Sequence, residues 1–387
     1  MANQIRITAT SFLAYFVMSG MLAPIGIISG PMAIAFDVPV TEITAQFSWL
    51  TMGILVGAVL ALGMFRWVRL RVLVLCIYVC LTVCLVSLAF QPTLNIVGLV
   101  LAVVGVGCGI GLPAAAVVIS KTYAAEQRAS MLVITDGAFS VAGIICAWLA
   151  VTALAQGMAW HTSYLFVAGM AGLLVVLAAV SRYPESSDDV SIEPSVASWP
   201  LTAWLCIAAL AMYTFAQNTM LWWLPQYAQT ELGLSARAAG GLVGQFWSGM
   251  FVAQIFVAWS VFKLGVERLL VVGVVSTAIF SVPMWWVEEP QWLVGLAALW
   301  GFANLGLLKI VLSYASQFTL VASPKLVSSL LLGATTGTAI SPWVSSQLVA
   351  VSNAGAALQI SSLVYALMAV LLLLVRGLNR RADLAAP

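Results

Sequence analysis

Charged side chains are nearly missing from this 387-residue chain: Asp, Glu, Lys and Arg together make up 7% of it. A soluble globular domain carries roughly 25%, so a soluble fold is excluded. There is one histidine, His161, and there are six cysteines. Cys76, Cys80 and Cys84 share a helix face, while Cys108, Cys146 and Cys206 fall in separate apolar runs. A metal site needs ligands that converge, and these do not; the cysteine stripe reads as small apolar helix surface. Also missing are a nucleophile beside a base, paired carboxylates and a phosphate loop. The glycines 105, 107, 109 and 111, followed by Pro113, lie in an apolar helix with no strand before them, so they read as close helix packing. These absences argue against an enzyme, against ATP-driven transport and against any cofactor. A net charge of +2 gives nucleic acid no footing either.

What is present is apolar length. Hydrophobic residues make up 63% of the chain, and they gather in runs that reach the roughly 20 residues a helix needs to cross a bilayer. Twelve such runs fall near 7–35, 43–65, 71–91, 93–119, 129–155, 162–182, 200–224, 238–262, 268–287, 291–318, 326–350 and 355–376. They are far too long for the strands of a membrane barrel, which need about 10 alternating residues. The expected fold is all-α and polytopic, with twelve transmembrane helices. The first run is also too long for the 7–15-residue core of a cleavable leader, so it is expected to stay as a helix.

Charge placement sets the expected orientation. With both termini in the cytoplasm, the inner segments hold Arg6; Arg66, Arg69 and Arg71; Lys121 and Arg128; Arg182; Lys263 and Arg268; Lys325; and Arg376, Arg380 and Arg381. Outside there is only Arg237. The expected location is an inner, cytoplasmic membrane crossed many times. The longest connection, from Tyr183 to Ser198, is rich in Asp, Glu, Ser and Pro and reads as a solvated linker. It divides the chain into a six-helix bundle over 1–182, a cytoplasmic linker over 183–199 and a second six-helix bundle over 200–387. The halves echo each other: FSWLTMG from Phe47 matches FWSGMF from Phe246, and both the fourth and tenth runs have a glycine-rich centre followed by Ser. Internal duplication of this kind places a transport site where repeats meet.

Two charges remain inside the apolar runs. Asp136 interrupts the fifth run, ASMLVITDGAFSVAG, and Lys309 interrupts the tenth, WGFANLGLLKIVLSYASQ. An intramembrane charge costs several kcal/mol unless it faces protein, a partner or water. Counted from the inner ends of their runs at 1.5 Å per residue, both lie roughly 10–14 Å deep. They are therefore the expected proton-coupling or gating pair. Three arrangements stay open: a pair that parts during transport, a lysine that holds an anionic substrate while the aspartate exchanges a proton, and a static ion pair.

Particular strings carry a family resemblance. Thr135, Asp136, Phe139, Ser140, Ala142 and Gly143 form one set, and Tyr213, Gln217, Trp223, Pro225, Tyr227 and Ala228 a second. Gly240, Leu242, Val243, Phe246 and Trp247 form a third, and SPKLV from Ser323 to Val327 a fourth. Together they resemble the major facilitator superfamily, and within it the L-fucose-permease-like branch and its TsgA-type proteins. The resemblance implies secondary active transport by alternating access through a crevice between two halves, and a monomer. It also implies a cavity lined by helices 1, 2, 4, 5, 7, 8, 10 and 11. On those helices the substrate-binding candidates are Tyr213, Gln217, Trp223, Gln245, Trp247, Asn304 and Lys309. The chain departs from the pattern in the loop after the second run, GMFRWVRLRV, which has arginines but no acid. It also lacks the acids on helices one and four that a proton-driven sugar symporter carries, which leaves Asp136 as the membrane carboxylate. The expected partners are a small polar or anionic solute, protons or another coupling ion, and the lipid bilayer. An efflux pump for amphipathic compounds and a ligand-binding sensor that moves nothing are the alternatives.

Overall fold

The computed structural model describes residues 2–90, 92–183, 199–287, 289–318 and 324–385, so most of the linker lies outside the described residues. No strand occurs among them. In chain order the helices are α1 (Ala2–Leu22), α2 (Ile25–Phe36), α3 (Val40–Trp67), α4 (Leu70–Ser87), α5 (Leu94–Thr122), α6 (Ala125–Ala155) and α7 (Thr162–Ala179). They continue with α8 (Leu201–Thr230), α9 (Ala236–Leu264), α10 (Val266–Ser281), α11 (Pro283–Trp286), α12 (Pro290–Ala303), α13 (Leu307–Ala315), α14 (Pro324–Ala350) and α15 (Ala354–Ala385).

Eleven spans among the described residues are long and apolar enough to cross a membrane. Helix α14, 27 residues long, fills the place of the remaining expected run but is not among those eleven. Its sequence, PKLVSSLLLGATTGTAISPWVSSQLVA, dilutes the apolar residues with Ser, Thr and Gly. The first expected run is divided at Ala23–Pro24, because Pro24 has no N–H to continue the α1 ladder and instead sits as the N-cap of α2. Pro283 divides the ninth run in the same way, at the start of α11. Pro31, Pro225 and Pro342 stay inside continuous helices.

The chain divides into two compact units, Met1–Asp189 with Ser235–Gly244 and Val190–Leu234 with Gln245–Pro387. In the first unit α3 packs along α5, α1 against α6 and α7, and α4 against α7. Glycine permits the closest of these contacts. A Cβ on Gly53 would stand 2.5 Å from the Ala102 carbonyl oxygen, and Cβ atoms on Gly57, Gly105 and Gly109 would run into the carbonyls of Val106, Leu50 and Ile54. Backbone therefore lies on backbone between α3 and α5, the small-residue packing that membrane helices use in place of a hydrophobic driving force. The glycine series of the fourth run is thus a packing surface.

The beginning of the connection after α7 is tied down at the chain's own N-terminal end. Asn3 Nδ2 donates to the Arg182 carbonyl (2.9 Å), the Arg182 N–H donates to Asn3 Oδ1 (2.8 Å), and the Tyr183 hydroxyl donates to Thr10 Oγ1 (3.1 Å). Burial raises the Tyr183 phenol above its ordinary pKa, so it stays protonated and able to donate.

In the second unit α8 packs against α14 and α15, and α10 against α15, α12 and α13. Here too glycines meet backbone: Gly337 faces the Ala211 carbonyl, Gly249 faces Ala298, and Gly301 faces Phe246. Glu267, in the first turn of α10, takes hydrogen bonds from Arg376 (2.5 Å) and Arg380 (2.7 Å) near the end of α15. The Glu231 carboxylate accepts the Gly355 N–H (2.8 Å) at the start of α15, where a negative group answers the helix dipole.

Candidate functional site

The tenth expected run is not one helix. It breaks at Asn304–Gly306, between α12 and α13, and this is the main difference from the sequence reading. Leu305 (φ 46°) and Gly306 (φ 62°) both take the left-handed conformation. Glycine does so freely, whereas for leucine it costs roughly 1–2 kcal/mol. Neighbours hold the break in place. The Ala303 carbonyl takes hydrogen bonds from Ser276 Oγ (2.8 Å) and Thr277 Oγ1 (3.1 Å), both on α10. Asn304 Nδ2 donates to the Trp300 carbonyl (2.6 Å), and the Leu307 N–H turns back to the Asn304 carbonyl (2.8 Å). Inside a membrane, non-helical backbone survives only where protein groups satisfy it or where it lines a cavity.

The break decides where Lys309 stands. It lies in the first turn of the nine-residue helix α13, and its N–H bonds to the Gly306 carbonyl (2.9 Å). A helix begun inside the span places its positive dipole end there, and Lys309 adds a full charge. Lys309 is half-buried. Beside the break, Asn304 is fully buried, and its Oδ1 has no hydrogen-bond partner among the described residues. Gln254 Oε1, on α9, is likewise buried and without such a partner, and its Cγ lies 3.9 Å from the position a Cβ on Gly306 would take.

The other sequence candidates of the second unit fall into four groups. Trp247 packs edge-on against Phe246 (5.3 Å between centroids), which in turn packs on Trp300 (4.3 Å), the residue whose carbonyl holds Asn304. Tyr213 lies 6.3 Å from Tyr365 and is buried, as is Gln217 one turn further along α8. Trp223 is buried and donates its indole N–H to Ser345 Oγ on α14 (2.9 Å). Gln245 is exposed. Asp136 belongs to the first unit, half-buried on α6, where it interacts electrostatically with the Tyr15 phenol of α1.

Sequence reasoning missed Ser276, Thr277, Leu305 and Gln254. One signal was available for the break: Asn-Leu-Gly at 304–306 carries two residue types that favour helix ends. Nothing local marks Ser276 and Thr277, which act on a carbonyl 26 or 27 positions away.

Replacing both hydroxyls, as Ser276→Ala with Thr277→Val, leaves the Ala303 carbonyl without these donors. Unfolding in detergent should then require about 1–2 kcal/mol less, read as a lowered midpoint.

A chain of apolar spans in two compact units, with a helix unwound beside an intramembrane lysine, has the architecture of a membrane transporter. The family profile of the Major Facilitator Superfamily matches residues 9–323, and the chain belongs to that family. It is a multi-pass membrane protein of the transporter class. Among curated sequences it is similar to the TsgA homolog of Edwardsiella ictaluri, 28% identical over 379 residues that cover 97% of this chain and 96% of that protein. It is also similar to TsgA of Escherichia coli O6:K15:H31, 26% identical over 98% of this chain and 97% of that one. Among solved structures the nucleoside transporter NupG shares the fold. A mutant form of it superposes with a TM-score of 0.75 at 13% identity, covering 96% of this chain and 99% of that one, and a second NupG structure gives 0.71.

Proposed function

We propose that this protein is a secondary active transporter that moves a small polar or anionic solute across the inner membrane by alternating access, coupled to protons through Asp136. The observation that carries the reading is the unwound Asn304–Gly306 segment. It begins a half-helix within the span and puts Lys309 in the first turn, so a helix dipole and an ammonium group favour negative charge at one place. Lys309 holds the anionic group of the solute, Gln245 offers it a hydrogen bond, and Asn304 Oδ1 accepts one from a donor group of the solute. Gln217, Tyr213, Trp223 and Trp247 shape the surroundings. Asp136 takes up and releases the coupling proton. Both termini lie in the cytoplasm, a placement supported by the concentration of Lys and Arg in the alternate connections.

A binding screen on the detergent-purified protein tests the solute class. Sugars, nucleosides, organic acids, amino acids and lipophilic cations are compared by thermal shift. A ligand at 100 times its dissociation constant stabilises by about 2.7 kcal/mol. Organic acids are expected to shift the midpoint most, and solutes that do so should accumulate in proteoliposomes when an inward proton gradient is imposed. Protection by lipophilic cations instead would turn the reading to efflux of amphipathic compounds. Binding without accumulation or exchange would make the protein a sensor.

A further inference from the structure

The broken segment between α12 and α13 brings together two amide oxygens that have no hydrogen-bond partner among the described residues. One is Oδ1 of Asn304, which is fully buried and whose Nδ2 donates back to the Trp300 carbonyl (2.6 Å). A carbonyl accepts only, so the NH2 group must take that side, and Oδ1 is the atom turned away from the last turn of α12. The other is Oε1 of Gln254, which reaches the same place from α9. Its atom is buried, and its Cγ lies 3.9 Å from where a Cβ on Gly306 would stand.

Both oxygens accept hydrogen bonds and neither can donate one. Burying such an oxygen unpaired costs its hydration without return, so a donor that arrives with the solute removes a penalty already present. Lys309 follows Gly306 within one turn, at the start of α13, where the helix dipole is positive. One place for negative charge and two for hydrogen-bond donors therefore lie at a single break in the chain.

Charge decides what those donors are. An ammonium group would add a second positive charge beside Lys309 and the positive end of α13. A second carboxylate has no proton at neutral pH to give either oxygen. Neutral hydroxyls suit both, and because a hydroxyl carries one proton, two oxygens call for two hydroxyls.

We propose that the solute is a polyhydroxy monocarboxylate, its carboxylate on Lys309 and two of its hydroxyls donating to Asn304 Oδ1 and Gln254 Oε1. The inference rests on the reading of Lys309 as the holder of an anion, and it narrows the solute from organic acids in general to this class.

The test is isothermal titration calorimetry of the full chain in mild detergent. The probes are propionate, lactate, 3-hydroxypropionate, glycerate and serine, with glycerol as the probe that lacks the acid. A site with buried acceptors discriminates strongly against an analogue that lacks the matching hydroxyl. Glycerate should bind about 100-fold more tightly than propionate, with lactate and 3-hydroxypropionate between them, about tenfold per hydroxyl. Serine should bind at least about tenfold more weakly than glycerate. Gluconate against hexanoate repeats the comparison on a longer chain. Gln254→Met removes one acceptor at similar length and should shrink the gap between glycerate and propionate about tenfold. Asn304→Leu should do the same, and because Asn304 also braces the break, Gln254→Met carries the comparison if the leucine variant does not fold.

Propionate bound as tightly as glycerate, with hexanoate as tight as gluconate, overturns the inference and leaves Lys309 as an anion holder. Serine bound more tightly than glycerate overturns it in favour of an amino acid. An undiminished gap in Gln254→Met overturns it too and marks that oxygen as a hydration site. Glycerol bound as tightly as glycerate, or no acid of either length bound, overturns the inference together with the anion-binding reading on which it rests.

Discussion

Lys309→Met should lower the uptake of an anionic solute about 10- to 100-fold while leaving the protein folded. The estimate comes from the loss of one charge-assisted contact, worth about 1.5–3 kcal/mol. Lys309 is half-buried on a short helix, and methionine preserves most of its length and apolar stem, so packing changes little. The loss should appear mainly as weaker binding for acids and leave neutral solutes unchanged. Asp136→Asn should behave differently. The amide keeps the size of the carboxyl but carries no titratable proton, so accumulation against a gradient should fall to the level of equilibration while exchange of solute for solute continues. The two variants thus separate binding from coupling. If Asp136→Asn combined with Lys309→Met still accumulates solute at the wild-type rate, neither residue is essential and the proposed assignment of both is wrong.

Gly109→Val should produce the second large effect, on folding rather than on turnover. A Cβ at Gly109 meets the Ile54 carbonyl, and backbone cannot swing away as the end of a flexible side chain can. The α3 and α5 axes would have to separate along their contact, where Gly53, Gly57 and Gly105 also rest on backbone. Overpacking of this kind costs about 1–3 kcal/mol at a forgiving site and more at a rigid one. Much reduced membrane yield and a strongly lowered unfolding midpoint are expected. Gly63→Ala, on the facing helix α3, is the control, since nothing lies within 4 Å of the added carbon. There alanine should be neutral or stabilising by up to about 1 kcal/mol, because it lowers the entropy lost on forming the helix. Equal damage at Gly63 and Gly109 would mean that glycine content, rather than close approach, matters to α3 and α5.

The candidate site was only partly legible. Asp136 and Lys309 stand out in any reading, because a charge inside an apolar run is conspicuous without knowledge of its neighbours. Asn304 was selected as a polar residue on a cavity-lining helix, yet its structural part, bonding to the Trp300 carbonyl at a broken helix, could not be read from that. Trp223 and Tyr213 were likewise candidates for a substrate-lined cavity, and the structure buries both, with the Trp223 indole bonded to Ser345. An aromatic ring on a membrane helix has the same sequence signature whether it faces a solute or a neighbouring helix.

The sequence by itself determined the class of protein, the approximate helices and the family. Each of these depends on local quantities: about 20 apolar residues suffice for a span whatever lies beside it, and the matching strings are short. Only the tertiary structure decided which glycines touch backbone, where the tenth run breaks and which buried polar atoms have no partner among the described residues. A helix ladder is given up only where other groups take over its carbonyls. At Ala303 those groups are the hydroxyls of Ser276 and Thr277, brought there by the packing of α10 against α12 and α13.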